Sequence, residues 1–354
     1  SNEQDSRWWG TMASVPVLNP ATPEEAKELT HRAFALSEAI HLPVILRSTT
    51  RVSHARGMVS YGALPGKGPA PAYDRVAEHI NIPSRNTGAH QALLAKMARP
   101  EVAAPLQQCT RKLADAHTPL AVICSGITVA YLMELHTASA SQTGVSILEI
   151  QMVHPFPESE VLEFLRSGYE KVLVLEELDP LVENNIRLIA QKNGIALEVF
   201  GKGFSGLMPT GEYSLDLIAA ALDSFSEAKI ASGIPLPGYE PFCENLPPRP
   251  PALCSGCPHR ATFYLLKLAM PRENRELVLC GDIGCFGLGA LPPLKMIDTI
   301  NHMGMSISMA QGLSTALARD RKPWKTVALV GDGTFFHSGL TSLVNAVYTR
   351  ANVL

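Results

Sequence analysis

The sequence predicts a multidomain α/β protein in which parallel sheets are flanked by helices. The first observation is the length, because 354 residues exceed one ordinary domain. The second is the alternation of short apolar runs with helical patterns over residues 118–224, which is typical of parallel strands joined by helices. The third is a segment with seven prolines, 233–251, after which the alternation resumes, and this segment indicates a domain boundary.

The composition restricts the possible functions. Lys and Arg number 30 and Asp and Glu 33, and the resulting net charge of −3 argues against nucleic acid as a partner. No apolar run reaches the roughly 18 residues that a membrane helix needs, and the polar start, Ser1–Arg7, is unlike a signal peptide. Seven cysteines do not suggest a disulfide framework in a chain this long, so we expect a cytoplasmic protein with reduced thiols.

The N-terminal segment predicts one helix followed by a strand. Thr22 is a candidate N-cap, Pro23 suits the first turn, and Glu25 completes a capping box. Five apolar residues then recur on one helix face: Ala26, Leu29, Ala33, Leu36 and Ile40. Pro43 ends the helix, and Val44–Leu46 is predicted as a short buried strand. Because this pair resembles the last unit of a sheet, we expect the chain to begin part-way through a domain.

Further elements are predicted on both sides of the proline-rich segment. Before it the strands are Ala121–Cys124, Ser146–Ile150, Val172–Leu175 and Ile195–Phe200, and the helices are Val129–His136, Glu158–Leu165 and Leu181–Ala190. After it we predict a helix from Pro258, strands Leu277–Cys280 and Thr326–Val330, helices Ser306–Arg319 and Gly339–Tyr348, and the first half of a strand at Asn352–Leu354.

The sharpest motif is Gly331-Asp332-Gly333-Thr334, which follows an apolar strand. The carboxyl ends of parallel strands are where α/β sheets bind ligands. Glycines let the backbone approach a phosphate, and Asp332 can hold a divalent metal ion against it. The alternative is an ordinary strand-to-helix turn in which Asp332 caps the helix.

Four cysteines lie close together in the sequence, at positions 254, 257, 280 and 285. A Cys-x-x-Cys pair such as Cys254 and Cys257 can hold zinc, hold an iron–sulfur cluster or exchange disulfides. A cluster needs four thiolates, and Cys285 supplies a third, whereas Cys280 lies on a predicted strand and is expected in the core. The alternative is that these are reduced cysteines in tight loops.

Two of these motifs together resemble a known family. Cys254–Arg260 combined with Gly281–Cys285 resembles the thiamine-diphosphate-dependent 2-oxoacid:ferredoxin oxidoreductases. Within them, four further segments look like the alpha-subunit family of indolepyruvate ferredoxin oxidoreductases: Asn2–Arg7, Pro43–Val52, Phe335–Gly339 and Asn345–Tyr348. The resemblance covers nearly the whole chain.

The resemblance implies a fold and a domain order. It implies a thiamin-diphosphate-binding fold with a transketolase C-terminal-like middle domain. The implied parts are the tail of a pyrimidine-binding domain (1–60), a connecting segment (61–117), the middle α/β domain (118–232), the proline-rich linker (233–251) and a truncated diphosphate-binding domain (252–354). The activating glutamate and a ferredoxin-like domain are expected outside this chain.

The resemblance also implies the site residues. Asp332 would bind Mg²⁺ on thiamine diphosphate, with a second metal ligand expected beyond Leu354. The other implied cofactor contacts are Met303, Gly304, Gly284, Cys285, Gly331, Gly333 and Thr334. Cys254, Cys257 and Cys285 are the candidate ligands of a [4Fe-4S] cluster. His337 is a candidate to act near the cofactor, and its alternative is a helix-start histidine with a backbone partner.

The implied reaction is oxidative decarboxylation of an aryl 2-oxoacid, similar to indolepyruvate, to an aryl-acetyl-CoA. Ferredoxin would accept the electrons and coenzyme A the acyl group. The implied assembly is a homo-oligomer of heterodimers with a beta subunit. The alternatives are a thiamine-diphosphate decarboxylase or ligase that does not use ferredoxin, and a non-catalytic, degenerate subunit.

Two further pairs of charged residues have both a functional and a purely structural interpretation. Arg47 and Arg51 bracket Thr49 and Thr50 and can meet a carboxylate substrate or a partner subunit, although structural ion pairs are the default expectation. Glu176 and its neighbour Glu177 follow a predicted strand, and we expect a solvated strand end there rather than a catalytic acid.

Overall fold

The structure is a computed structural model that describes residues 3–63, 80, 82–139, 144–227, 246–247, 251–269, 276–321 and 324–354. The chain divides into two compact units, 2–238 and 239–354. The predicted linker 233–251 falls almost entirely outside the described residues. The finer domain boundaries at 60 and 117 stay a prediction.

The first unit alternates helices and strands. In chain order they are α1 (Trp8–Ala13), β1 (Val17–Leu18), α2 (Pro23–Ile40), β2 (Ile45–Leu46), α3 (Thr50–His54), α4 (Asn86–Met97), α5 (Pro100–Gln108), β3 (Thr110–Ala114), β4 (Leu120–Cys124), α6 (Ile127–Ala138), β5 (Ser146–Ile150), β6 (Met152–His154), α7 (Glu158–Leu165), β7 (Lys171–Leu175), α8 (Leu181–Lys192), β8 (Glu198–Phe200) and α9 (Leu215–Ser226). Short 3₁₀ turns cover Pro83–Arg85 and Phe204–Gly206.

A sheet of five strands forms the centre of this unit, in the order β3-β5-β4-β7-β8 within the described residues. The strands β5, β4, β7 and β8 are parallel, as predicted, and β3 joins β5 antiparallel at the edge. Side chains of β4 alternate between two cores. Val122 packs with residues of α6 and α9, and Ile123 packs with residues of α7 and α8. Both faces of the sheet are therefore covered by helices.

The N-terminal segment packs as predicted on one helix face. Thr22 Oγ1 accepts the Glu25 N–H at 3.2 Å, and Leu29 and Ile40 are buried. The Glu25 carboxylate accepts the Ala21 N–H at 2.8 Å rather than the N–H of the cap residue, so the predicted capping box is shifted by one residue. Strand β1 pairs parallel with β2 and antiparallel with β6. The pairing with β6 connects the N-terminal segment to the region that contains the five-stranded sheet.

Three details differ from the prediction. The last strand starts at Glu198 and not at Ile195, because Gly194 at φ +64° turns the chain and the Ile195 N–H bonds to Ala190 O at the end of α8. Strand β2 is half-buried rather than buried. The predicted solvated strand end at Glu176 is wrong.

Glu176 is 1 % exposed and forms a 2.5 Å ion pair with the equally buried Arg7. The N–H groups of Val182 and Glu183 also donate to this carboxylate, at 3.0 and 2.9 Å. Arg7 makes a second ion pair, with Asp5. Arg7 lies far away in sequence, so a reading of the strand end alone could not identify the pair.

The second unit has the elements α10 (Pro258–Ala269), β9 (Leu277–Cys280), α11 (Ser306–Arg319), β10 (Lys325–Ala328) and α12 (Leu340–Tyr348). A helical turn, Asp332–Thr334, and a π-helical turn, Phe335–Gly339, precede α12, and a 3₁₀ turn covers Cys285–Ala290. β9 and β10 are parallel, and Val353 forms a parallel bridge to Thr326, as the predicted half strand requires.

The core of the second unit lies under these two strands. Its buried members are Phe263, Leu277, Leu279, Phe286, Met296, Ile297 and Val327. Within the described ranges of both units, no helix has the length and apolar character that crossing a bilayer requires.

Candidate functional site

A cavity of about 690 Å³ lies in the second unit, beside the carboxyl ends of β9 and β10. Its lining comes from α10, the loop after β9, the loop before α11 and the loop after β10. The lining residues are His259, Thr262, Phe263, Ile283, Gly284, Cys285, Phe286, Met303, Leu329, Val330, Gly331, Asp332, Gly333 and Thr334. This is the edge at which parallel sheets bind ligands.

The Gly-Asp-Gly turn forms one wall of this cavity. Gly331 is extended and acts as the N-cap of the helical turn, and the Phe335 N–H bonds to its carbonyl at 2.8 Å. The Asp332 side chain is exposed and accepts only the Gly333 N–H, at 2.8 Å, among the described residues. Asp332 therefore does not cap the helix, and its carboxylate has capacity left for a hard cation.

The buried ring of Phe286 lies close to the loop after β9 and to the loop after β10. A Cβ on Gly284 would lie 2.7 Å from Phe286 Cε1, and a Cβ on Gly331 would lie 3.0 Å from the same atom. His259 meets this ring edge-on, with 5.8 Å between the ring centroids. Glycine at both positions lets the two backbones approach the same edge of the Phe286 ring closely.

Most of the predicted cofactor contacts line the cavity. They are Gly284, Cys285, Met303, Gly331, Asp332, Gly333 and Thr334. Gly304 is buried beside Met303 and is not in the lining. His337 is exposed on the π-helical turn and also lies outside the lining, so the structure does not bring this catalytic candidate to the cavity.

Sequence reasoning missed His259 and Phe286 as parts of the site. His259 stands in the Cys254–Arg260 motif and Phe286 directly follows the Gly281–Cys285 motif, but nothing in the sequence shows that their rings meet. Asp282 was also missed as a functional residue. It stands in the Gly281–Cys285 motif, two residues after the apolar strand Leu277–Cys280 ends, and no role was predicted for it.

Among the described residues, the three candidate cluster ligands do not all lie in the cavity wall. Cys285 is exposed in the cavity wall, whereas Cys254 and Cys257 form a turn before α10, with the Cys257 N–H 3.2 Å from Cys254 O. Within the part of the chain that the structure describes, no three His, Cys, Asp or Glu side chains lie close enough to share a metal ion. Cys280 is fully buried, as expected, and burial raises the pKa of its thiol.

Comparison with known proteins bears on this unit. Residues 282–354 match the family described as "Thiamine pyrophosphate enzyme, C-terminal TPP binding domain". The chain contains this TPP-binding domain. The matched segment includes the loops after β9 and β10 and hence most of the cavity lining.

The whole chain is similar to proteins named indolepyruvate oxidoreductase subunit IorA. The one from Methanothermobacter marburgensis is 36 % identical over 357 residues, which cover 99 % of this chain and 55 % of the relative. Those from Thermococcus kodakarensis and Pyrococcus horikoshii are 36 % and 37 % identical, and each match covers 100 % of this chain and 56 % of the relative. The resemblance inferred from the motifs is confirmed, and the chain spans about half the length of these relatives.

The residues of the TPP-binding domain fit a diphosphate with its metal ion better than they fit an iron–sulfur cluster. An exposed carboxylate at Asp332, flanked by two glycines, offers the oxygen ligand and the close backbone approach that magnesium diphosphate requires. A cluster would need converging thiolates, and only one of the three predicted, Cys285, reaches the cavity.

A smaller cavity, of about 310 Å³, lies in the first unit beside Arg47 and Glu177. Arg51 forms an exposed ion pair with Glu212 at 2.9 Å, which is the default expectation for this residue. Arg47 instead donates to Asn19 Oδ1 at 2.9 Å. Three acidic side chains, Glu3, Glu177 and Glu212, and one basic side chain, Arg47, line this cavity, so the formal charge of its lining is negative.

Proposed function

We propose that this chain is part of a thiamine-diphosphate-dependent 2-oxoacid oxidoreductase. The proposed reaction is oxidative decarboxylation of an aryl 2-oxoacid, similar to indolepyruvate, with ferredoxin as electron acceptor and coenzyme A as acyl acceptor. The observation that carries the proposal is the Gly331–Thr334 turn on a cavity at the carboxyl edge of β9 and β10, within a segment that matches a TPP-binding domain.

The chain's own residues would bind and shape the cofactor. Asp332 would hold Mg²⁺, and Gly331 and Gly333 would let the backbone approach the diphosphate. Met303 and Ile283 line the cavity and would contribute apolar surface that helps to exclude water around a bound cofactor. When bound, thiamine diphosphate supplies a nucleophilic carbon and an electron sink, and the protein supplies orientation and electrostatics.

A thiamine-diphosphate decarboxylase or ligase without ferredoxin is the second candidate. It is favoured by the position of Cys254 and Cys257, which form a turn outside the cavity lining that contains Cys285. Iron content and a visible absorbance band in protein purified without oxygen distinguish the two. A cluster would support electron transfer to ferredoxin, and protein free of iron would support the second candidate.

We also propose that the protein works as an assembly with a beta subunit and with further copies of this chain. The support is the low charged fraction of 18 %, together with a helix face in the second unit that is apolar and exposed. Its members are Phe336, Leu340, Leu343, Val344, Val347 and Tyr348.

The reaction is tested with full-length protein and its beta subunit under anaerobic conditions. We expect aryl 2-oxoacid and coenzyme A together to drive reduction of ferredoxin, and omission of thiamine diphosphate or Mg²⁺ to abolish it. Release of an aldehyde without ferredoxin reduction would favour the second candidate. No turnover of several aryl 2-oxoacids by cofactor-loaded protein would contradict both.

A further inference from the structure

Asp282 is a buried carboxylate that the proposed chemistry does not use. It follows β9 and is 0 % exposed, and no Lys, Arg or His in the described ranges pairs with it. Burying a carboxylate is costly unless hydrogen bonds replace its hydration. The replacement is provided here by the N–H groups of Ile283 and Gly304 and by the hydroxyl of Ser306.

The Gly304 amide makes the central contact. Its N–H lies 2.9 Å from Asp282 Oδ1 and 2.8 Å from Oδ2, so both carboxylate oxygens face one donor. Ser306 Oγ donates to Oδ2 at 3.3 Å, at the start of α11. A carboxylate after β9 thus fixes a loop that lies 22 residues further along the chain.

Gly304 is confined from its other side as well. Its φ of +87° lies in the left-handed region. A Cβ at this position would overlap Ser338 Oγ and lie 2.9 Å from Ser338 Cβ, on the π-helical turn that follows the Gly-Asp-Gly motif. Gly304 therefore lies between Asp282 and Ser338, and three loops meet at this residue.

Each of these three segments is next to residues that line the cavity. Ile283 and Gly284 follow Asp282, Met303 precedes Gly304, and Thr334 lies one turn before Ser338. Met303 is 55 % exposed and lies beside Gly304 in a turn that the Met305 N–H closes on His302 O at 3.2 Å.

We propose that Asp282 is a positioning residue for thiamine diphosphate, holding the 302–306 loop against the 281–285 loop so that Met303 and Gly284 keep their places in the cavity wall. This inference rests on the proposed cofactor function. Asp282 does not line the cavity, and its oxygens already accept hydrogen bonds, so it does not contact the cofactor itself.

The test compares three variants of the full-length protein. Asp282→Asn removes the charge and turns a donor towards the Gly304 N–H, and Ser306→Ala removes the hydroxyl alone. Asp298→Asn is the matched control, since the exposed Asp298 carboxylate also accepts a backbone N–H of β9, from Leu279 at 2.9 Å, and lies outside the cavity. Calorimetry measures affinity for thiamine diphosphate with Mg²⁺, and hydrogen exchange measures protection of the Gly304 amide.

We expect Asp282→Asn to weaken thiamine diphosphate binding at least about tenfold, because hydrogen bonds to a buried charge are strong. Exchange at Gly304 should quicken, while circular dichroism at the titration temperature shows a folded protein. A purely structural role would lower the melting temperature without changing the affinity of the folded protein. We expect Asp298→Asn to bind as the wild type does.

The proposal is overturned if folded Asp282→Asn binds thiamine diphosphate with an affinity within about twofold of wild type. If that variant does not fold, Ser306→Ala takes its place, with an expected loss of about threefold and unchanged affinity as the contrary result. Failure of the wild type to bind the cofactor would instead contradict the proposed function, and with it this inference.

Discussion

At the scale of single residues, the most consequential contacts are buried charges that the sequence alone does not pair. Arg7 and Glu176 are both 1 % exposed and 2.5 Å apart. Removing one partner of such a pair leaves an uncompensated buried charge, which costs about 3–5 kcal/mol. The contact also joins the first residues of the chain to the end of β7.

We therefore expect Arg7→Ala to lower the free energy of unfolding by about 3 kcal/mol, as measured by urea denaturation. The matched control is Arg51→Ala, which breaks the exposed pair with Glu212 and should cost less than about 1 kcal/mol. Equal losses of unfolding free energy in the two variants would show that burial of the Arg7 pair does not determine its contribution to stability.

We expect Glu149 to make the stability of the protein depend on pH. Burial, and then the neighbouring charge of Glu25, raise the pKa of Glu149 from 4.5 to about 7, although Arg111 bridges both carboxylates. Because the folded state binds this proton more tightly than the unfolded state, the stabilisation is complete below pH 4.5 and is lost as pH rises through about 7.

Replacing Glu149 should make the free energy of unfolding depend less on pH. We expect Glu149→Gln to match wild type at pH 5 and to be at least as stable at pH 8, measured by urea unfolding at both values. Glu28→Gln, on the exposed face of α2, is the control and should keep the wild-type slope. A Glu149→Gln protein with the wild-type slope would mean that another group titrates.

At the scale of elements, two glycines of the second unit have opposite surroundings. A Cβ on Gly289, in the 3₁₀ turn, would overlap the ring of the buried Phe263. A Cβ on Gly312, inside α11, meets nothing within 4 Å. Glycine in a helix interior is about 1 kcal/mol less favourable than alanine.

We expect Gly289→Ala to lower the free energy of unfolding by about 1–3 kcal/mol through overpacking. Gly312→Ala should raise it by up to about 1 kcal/mol. Thermal unfolding of the two variants beside wild type makes the comparison, and a stabilised Gly289→Ala would contradict the described packing around Phe263.

The helices and strands also show how much of the fold the sequence predicts. Ser146–Ile150 and Glu158–Leu165 were predicted with their observed bounds, because a strand buried on both faces and a helix opened by prolines leave plain patterns. Strand β3, Thr110–Ala114, was missed, since an edge strand with Arg and Lys has no apolar run. The Gly-Asp-Gly turn was predicted from local sequence, whereas the link from Asp282 to Gly304 depends on tertiary structure.

At the scale of the whole molecule, the apolar face of α12 and the preceding turn is the feature that favours assembly. Val344 is 62 % and Val347 70 % exposed, and the helix Leu340–Tyr348 carries no acidic or basic residue. Two copies of this face can meet without opposing like charges, so we propose a second copy of the chain as its partner.

We expect full-length protein to have at least a dimeric mass by light scattering, and Val347→Glu to shift it towards the monomer, because burying an unpaired carboxylate is costly. Glu276→Gln, at an exposed position before β9, is the control and should leave the mass unchanged. A monomeric wild type across a range of concentrations would contradict the proposed assembly.

The central claim is that the cavity beside Asp332 binds thiamine diphosphate through Mg²⁺. The measurement is calorimetric titration of the full-length protein with thiamine diphosphate, with and without Mg²⁺, repeated on Asp332→Ala and on Asp320→Ala at the end of α11. We predict Mg²⁺-dependent binding in wild type and Asp320→Ala, and its loss in Asp332→Ala, which lacks the hard oxygen ligand. Unchanged affinity in folded Asp332→Ala would contradict the account.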